Sequence, residues 1–128
     1  MKLTHIDTIL MVENIATSKK FYHDTLGLEI LEDWQTMLIF KNRLALHQAS
    51  ELQPTQETQK FIQPGACGHG NVVIYLQSDD LEGCFQQLQA AGVEIIHGII
   101  SLPWERLFRI YDPDRHVIEI GESQACNR

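Results

Sequence analysis

The chain states one pattern twice. Val12-Glu13-Asn14-Ile15 leads through Phe21-Tyr22 to Leu26-Gly27-Leu28, and Ser78-Asp79-Asp80-Leu81 leads through Phe85 and Leu88 to Ala91-Gly92-Val93. In each copy an apolar strand meets an Asx cap, an amphipathic helix follows, Gly stops it, and a second apolar strand begins. Copies spaced about half a chain apart are the mark of a duplicated unit. Two such units, neither able to cover its own sheet, are expected to share one core, with a ligand site at the seam between them.

Size and charge narrow the classes. A chain of 128 residues suits one domain or two small modules sharing a core. No apolar run approaches the roughly 20 residues of a membrane helix, and Met1-Lys2-Leu3-Thr4-His5 lacks the apolar stretch of a signal peptide. Cys67, Cys84 and Cys126 are odd in number and widely spaced, which fits neither a disulfide framework nor a zinc-type CxxC pair. A reducing, cytoplasmic setting is expected. The formal net charge of −7 opposes nucleic-acid binding, which needs a basic footprint.

Alternation predicts the first strand over residues 5–12. His5, Asp7, Ile9 and Met11 point one way, and Ile6, Thr8, Leu10 and Val12 point toward a helix. Asn14 caps that helix and Gly27 supplies its left-handed stop. Strands are predicted over Leu28–Trp34, Met37–Phe40 and Leu44–Gln48, with Asn42-Arg43 as the turn between the last two. Residues 49–70, rich in Gln, Thr and Pro, read as a linker or flap, with a short helix over Glu51 to Phe61. The order then repeats: a strand over Asn71–Gln77, a helix capped by Asp79 or Asp80 and stopped at Gly92, and strands over Val93–Ile100, Trp104–Tyr111 and Val117–Gly121. Asp112-Pro113-Asp114-Arg115-His116 turns the last pair. The fold class is therefore α+β: two βαβββ modules, 4–48 and 71–122, curving a mixed sheet around a cavity.

That order, with Phe21-Tyr22 before Leu26-Gly27-Leu28 and Asp112-Pro113-Asp114 before Val117-Ile118-Glu119-Ile120, resembles the vicinal oxygen chelate superfamily of glyoxalases, bleomycin- and fosfomycin-resistance proteins and extradiol dioxygenases. Pro103-Trp104, Arg109 and Tyr111 also resemble a glyoxalase-like subgroup. The resemblance covers nearly the whole chain and implies a homodimer that binds a small molecule. Its enzymes hold one divalent metal, here Zn, Ni, Mn or Fe, with up to four side chains from the first and last strand of each module. The metal serves as a Lewis acid on vicinal oxygens and needs three or four converging N or O donors.

Carried onto this chain, the pattern is incomplete. Glu119 falls on the last-strand carboxylate and would be both ligand and proton carrier. Its neighbours Ile118 and Ile120 face the core, so Glu119 faces the cavity. On the first strand the family position is Asp7, and His5 shares its face; Asp suits a hard metal and His a softer one. The inner positions fall on Ala45 and Val73, neither of which can bind a metal. His47, two residues beyond Ala45 on the same face, is the substitute donor; in the second module the position becomes Asn71 if the strand is bulged, and Asn is a poor ligand for transition metals. His69 lies further out in a Gly-flanked loop. Arg115 occupies a turn position where the family has Gly, which implies local strain.

Two readings follow. One is a metal-dependent lyase or isomerase of glyoxalase type, with a dioxygenase as a variant, using Glu119, His5 or Asp7, and His47. The other is a metal-free binding protein of bleomycin-resistance type. In that case Tyr75, Trp104, Arg109, Tyr111 and Asn71 contact an aromatic or amphiphilic ligand. Arg109 would serve either as an anion clamp or as an internal partner of Glu119.

Overall fold

A computed structural model describes residues 1–51 and 67–123. It divides into two compact units, Met1–Cys67 and Gly68–Arg128, each built as βαβββ. The N-terminal unit runs β1 (Thr8–Val12), helix α1 (Ile15–Lys19) continued by a π-helical turn (Lys20–Thr25), β2 (Ile30–Asp33), β3 (Met37–Phe40) and β4 (Leu44–Gln48). The C-terminal unit runs β5 (Val73–Ser78), α2 (Leu81–Ala90), β6 (Ile95–Ser101), β7 (Arg106–Tyr111) and β8 (Val117–Glu122). Each unit forms a four-stranded mixed sheet, ordered β1-β4-β3-β2 and β5-β8-β7-β6. The first and last strands of each unit pair in parallel and the others antiparallel. The parallel pairing requires a crossover, and the helix supplies it.

Local chemistry sets the helix ends. Asn14 Oδ1 accepts from the Thr17 amide and Asp80 Oδ1 from the Gly83 amide, each at 3.1 Å. Gly27 and Gly92 stop the two helices at φ 78° and 79°, a region Gly enters without a Cβ penalty. From Asn14 to Gly27 is 13 positions, whereas Asp80 to Gly92 is 12. The surplus residue is absorbed as the π turn. The Leu26 amide reaches back five residues to the Phe21 carbonyl at 2.9 Å, so one insertion widens the helix without rotating its buried face. Tyr22 and Leu88, the matching positions before the insertion, are both buried.

Two strands start later than alternation predicts, and the cause is the same in both. Thr8 opens β1 opposite Leu44, and Val73 opens β5 opposite Val117. Upstream of Leu44 and Val117 the chain has already turned, at Asn42-Arg43 and at residues 112–116. Residues 5–7 and 71–72 therefore have no strand to pair with. His5, Asp7 and Asn71 precede their strands instead of belonging to them. Trp104 is likewise outside a strand: Leu102 N donates to Glu105 O at 2.8 Å, closing a turn over Pro103-Trp104. Beyond Glu51, the helix predicted over 51–61 lies outside the described residues, as does Cys126.

The cores lie between helix and sheet. Leu10, Val12, Leu38, Phe40, Leu44 and Leu46 are buried with Tyr22 in the first unit. In the second, Phe108, Ile110, Ile118 and Ile120 are buried with Leu81 and Leu88. Phe85 of α2 meets Phe108 edge to face at 5.1 Å. The duplication places Lys19 and Leu38 where Phe85 and Phe108 stand. With that aromatic pair missing, the first unit keeps a depression of about 280 Å³ lined by Ile15, Ala16, Lys19, Asp33, Gln35 and Leu38.

Candidate functional site

Strand register brings four polar side chains into one row across the C-terminal sheet, on the face opposite α2. Tyr75 pairs with Glu119, Glu119 with Arg109, and Arg109 with His97. Ile118 and Ile120 point to the helix and are buried, so alternation turns Glu119 to the opposite face, as the sequence predicts. Arg109 donates from Nε to Glu119 Oε1 at 2.9 Å, and its Nη2 lies 2.8 Å from the same oxygen. Arg109 Nη1 lies 3.0 Å from His97 Nε2. Because guanidinium has no lone pair to offer, Nε2 accepts. The proton then sits on His97 Nδ1, which donates to the Gly98 carbonyl at 2.7 Å. His97 thus bridges the guanidinium and the Gly98 carbonyl.

Tyr75 belongs to a second chain of bonds on the same face. Its hydroxyl donates to Glu105 Oε2 at 2.6 Å and accepts from Gln77 Nε2 at 2.9 Å. Gly121 of β8 leaves the space: a Cβ there would fall 2.5 Å from Glu105 Oε2 and 2.6 Å from the Tyr75 oxygen. Burial, and next the adjoining Glu105, push the Tyr75 phenol above its ordinary value. The neutral phenol is therefore the form the site favours. Its contribution to stability is complete below about pH 10 and falls as pH rises through the folded value. Phenolate absorbance, assigned with Tyr75→Phe, is expected to show late ionisation of Tyr75 that Glu105→Gln brings earlier. Ionisation at the ordinary tyrosine value in the parent would contradict the Tyr75–Glu105 bond.

The remaining predicted site residues are more dispersed. Tyr111 carries the Arg115 guanidinium over its ring at 4.0 Å, and Arg115 also pairs with Glu94 at 2.7 Å. These contacts hold Arg115 at φ 66°, the strained turn position the resemblance pointed to. Trp104 sits at the turn tip, 68 % exposed, and Asn71 is exposed. In the N-terminal unit, Asp7 Oδ1 lies 2.8 Å from Arg43 Nε, although that N–H is aimed at the Ile6 carbonyl. His5 Nε2 is 3.0 Å from Thr8 Oγ1, and His47 Nδ1 is 3.1 Å from the Gln48 carbonyl.

These surroundings do not suit a divalent metal. Both carboxylates at the family's ligand positions, Asp7 and Glu119, already face an arginine from their own unit. The matching positions on the inner strands are Ala45 and Val73. Among the described residues no three His, Cys, Asp or Glu side chains gather as a metal site requires.

The register also places the two units' rows in correspondence. Ile9, Ala45 and Ile39 pair across the first sheet where Tyr75, Glu119 and Arg109 pair across the second. The duplicated fold thus carries one apolar row and one polar row. A match to the glyoxalase-like domain model spans residues 5–125. This chain belongs to the glyoxalase-like family. Its two βαβββ modules match solved structures of the glyoxalase/bleomycin resistance/dioxygenase superfamily. This glyoxalase-like protein is 34% identical to a protein of unknown function from Agrobacterium tumefaciens str. C58, with 96% of each chain covered and a TM-score of 0.79. It is 22% identical to a lactoylglutathione lyase from Agrobacterium tumefaciens, covering 98% of this chain and 97% of that one at a TM-score of 0.71. It is 15% identical to TioX from Micromonospora sp. ML1, covering 93% and 98% at 0.68. The last two show the fold alone. No curated protein matches. No helix among the described residues is long and apolar enough to cross a membrane.

Sequence reasoning missed His97 and Glu105. His97 sits in an apolar run whose alternation is broken by Gly98 and by register shifts in the β6–β7 pairing. The available signal was its place opposite Arg109 once the turn at Pro103 is drawn. Glu105 had no local signal, because its partner Tyr75 lies 30 residues away on a different strand.

Proposed function

We propose that this glyoxalase-like protein binds a small organic molecule without a resident metal. The helix-free face of its C-terminal sheet is the proposed binding surface. The observation that carries this reading is the pair of arginines: Arg43 beside Asp7 and Arg109 beside Glu119 occupy the surroundings a cation would need. A lyase or isomerase that used Glu119 as ligand and proton carrier would have to release it from Arg109 first. As an ion pair fixed by His97, the same residues instead form a rigid polar floor, with exposed Tyr75 and Val73 beside it to meet an apolar body.

The test is metal retention. Protein purified without a histidine tag, incubated with Zn, Ni, Mn or Fe(II) and dialysed, is expected to keep far less than one ion per chain. Elemental analysis should give the same result for Glu119→Ala. Stoichiometric retention that disappears in Glu119→Ala would overturn the metal-free reading and restore the lyase or isomerase.

A further inference from the structure

Five of the nine described acidic residues of the C-terminal unit lie against a basic side chain. Glu82 and Glu122 share Arg106, Glu94 takes Arg115, Glu119 takes Arg109, and Asp112 takes His116. Glu105 differs: among the described residues its recorded partner is the neutral Tyr75 hydroxyl. A carboxylate has about four lone-pair sites, and the phenol engages one.

Glu105, the residue before β7, is on the same face as Arg109, two alternations away. The side chains fully charged at neutral pH there are Arg109, positive, and Glu119 and Glu105, negative. The face therefore carries one uncompensated negative charge. Arg109, for which sequence left open an anion clamp or an internal partner of Glu119, has its guanidinium committed to Glu119 and His97. An anionic ligand would meet Glu105 unshielded.

One exposed aromatic ring, Tyr75, meets this carboxylate, and a second exposed aromatic residue, Trp104, is its neighbour in the chain. Tyr75, 44 % exposed, holds it directly. Trp104, 68 % exposed, precedes it in the turn that Leu102 and Glu105 close. A fixed carboxylate beside aromatic faces is the chemistry that recognises an organic cation, through a charge-assisted hydrogen bond and cation–π attraction. We propose that the ligand of this face is a small organic cation, a protonated amine or amidine on an aromatic body, with Glu105 as its charge partner and Trp104 and Tyr75 as its walls. This rests on the reading that the face binds an organic molecule and adds the ligand's charge class.

Three probes sharing one ring system test it by titration calorimetry on metal-free protein: 1-naphthylmethylammonium, 1-naphthalenemethanol and 1-naphthylacetate. The ammonium is expected to bind about tenfold tighter than the alcohol, with the acetate weakest. Added salt should narrow the gap. Glu105→Gln keeps an acceptor for the Tyr75 hydroxyl and is expected to erase the ammonium's advantage while leaving the alcohol unchanged. Gly121→Ala, whose Cβ displaces the Glu105 oxygen, is expected to do the same by a second route, and thermal melts verify that both variants fold. Trp104→Ala should weaken all three probes. Equal affinities, a preference for the acetate, or an ammonium advantage that survives Glu105→Gln would overturn the cation proposal and leave the metal-free binding reading standing. Failure of all three probes to bind would overturn both.

Discussion

An Arg109→Ala variant is expected to lose about 2–3 kcal/mol of stability in urea denaturation. Exposed ion pairs such as Glu94–Arg115 are worth roughly 0–1 kcal/mol. The difference is burial: the Glu119 side chain is 19 % exposed and that of Arg109 33 %. Removing one partner of a buried pair typically costs about 3–5 kcal/mol, because the other charge is left without compensation. Solvent at the edge of this pair lowers the figure. His97 loses its donor in the same variant, and its Nε2 must then find water.

The companion experiment separates the cost of an orphaned charge from the net worth of the pair. Arg109→Met with Glu119→Leu removes both charges and keeps side-chain volume, so the double variant is expected to lie within about 1 kcal/mol of the parent. Arg109→Ala costing less than about 0.5 kcal/mol would show that Glu119 does not depend on Arg109. Arg109 would then leave Glu119 free to take another cation, and the proposed metal-free face would lose its support.

The parts of the fold that were legible in sequence are those governed by local chemistry. Asn14 and Asp80 cap, Gly27 and Gly92 stop, and β3 and β4 fall within the predicted bounds because turns on both sides leave no freedom. Strand starts were less legible. Where β1 and β5 begin depends on where a parallel strand more than 30 residues away begins, and alternation at residues 5–7 continues regardless of whether a partner is present. The site followed the same division. Glu119 was turned to the helix-free face by Ile118 and Ile120 alone, and pairing with Arg109 was one of the two roles left open for that arginine. His97 and Glu105 depend on cross-strand pairing, which periodicity along a single strand does not encode. The donors proposed for a metal were plausible as residue types. What sequence could not supply was that Arg43 and Arg109 lie beside those carboxylates.

Phe108→Ala is expected to have the largest effect of any single change considered, about 3–5 kcal/mol, because the residue is fully buried and sits between sheet and helix. Its ring meets Phe85 at 5.1 Å and an interplanar angle of 80°, a geometry adding roughly 0.5–1.5 kcal/mol beyond area burial. A Phe85→Ala, Phe108→Ala cycle should return a coupling of that size. The consequence extends to the opposite face. Phe108 and Arg109 are consecutive on β7, so the contact that anchors the strand to α2 also fixes where the guanidinium meets Glu119 and His97. In Phe108→Ala protein that remains folded, the Arg109 row should loosen, and affinity for 1-naphthylmethylammonium should fall although no residue of the binding face has changed. A loss of less than about 1.5 kcal/mol would mean that the helix does not clamp β7, and the rigid floor proposed for the site would need another source.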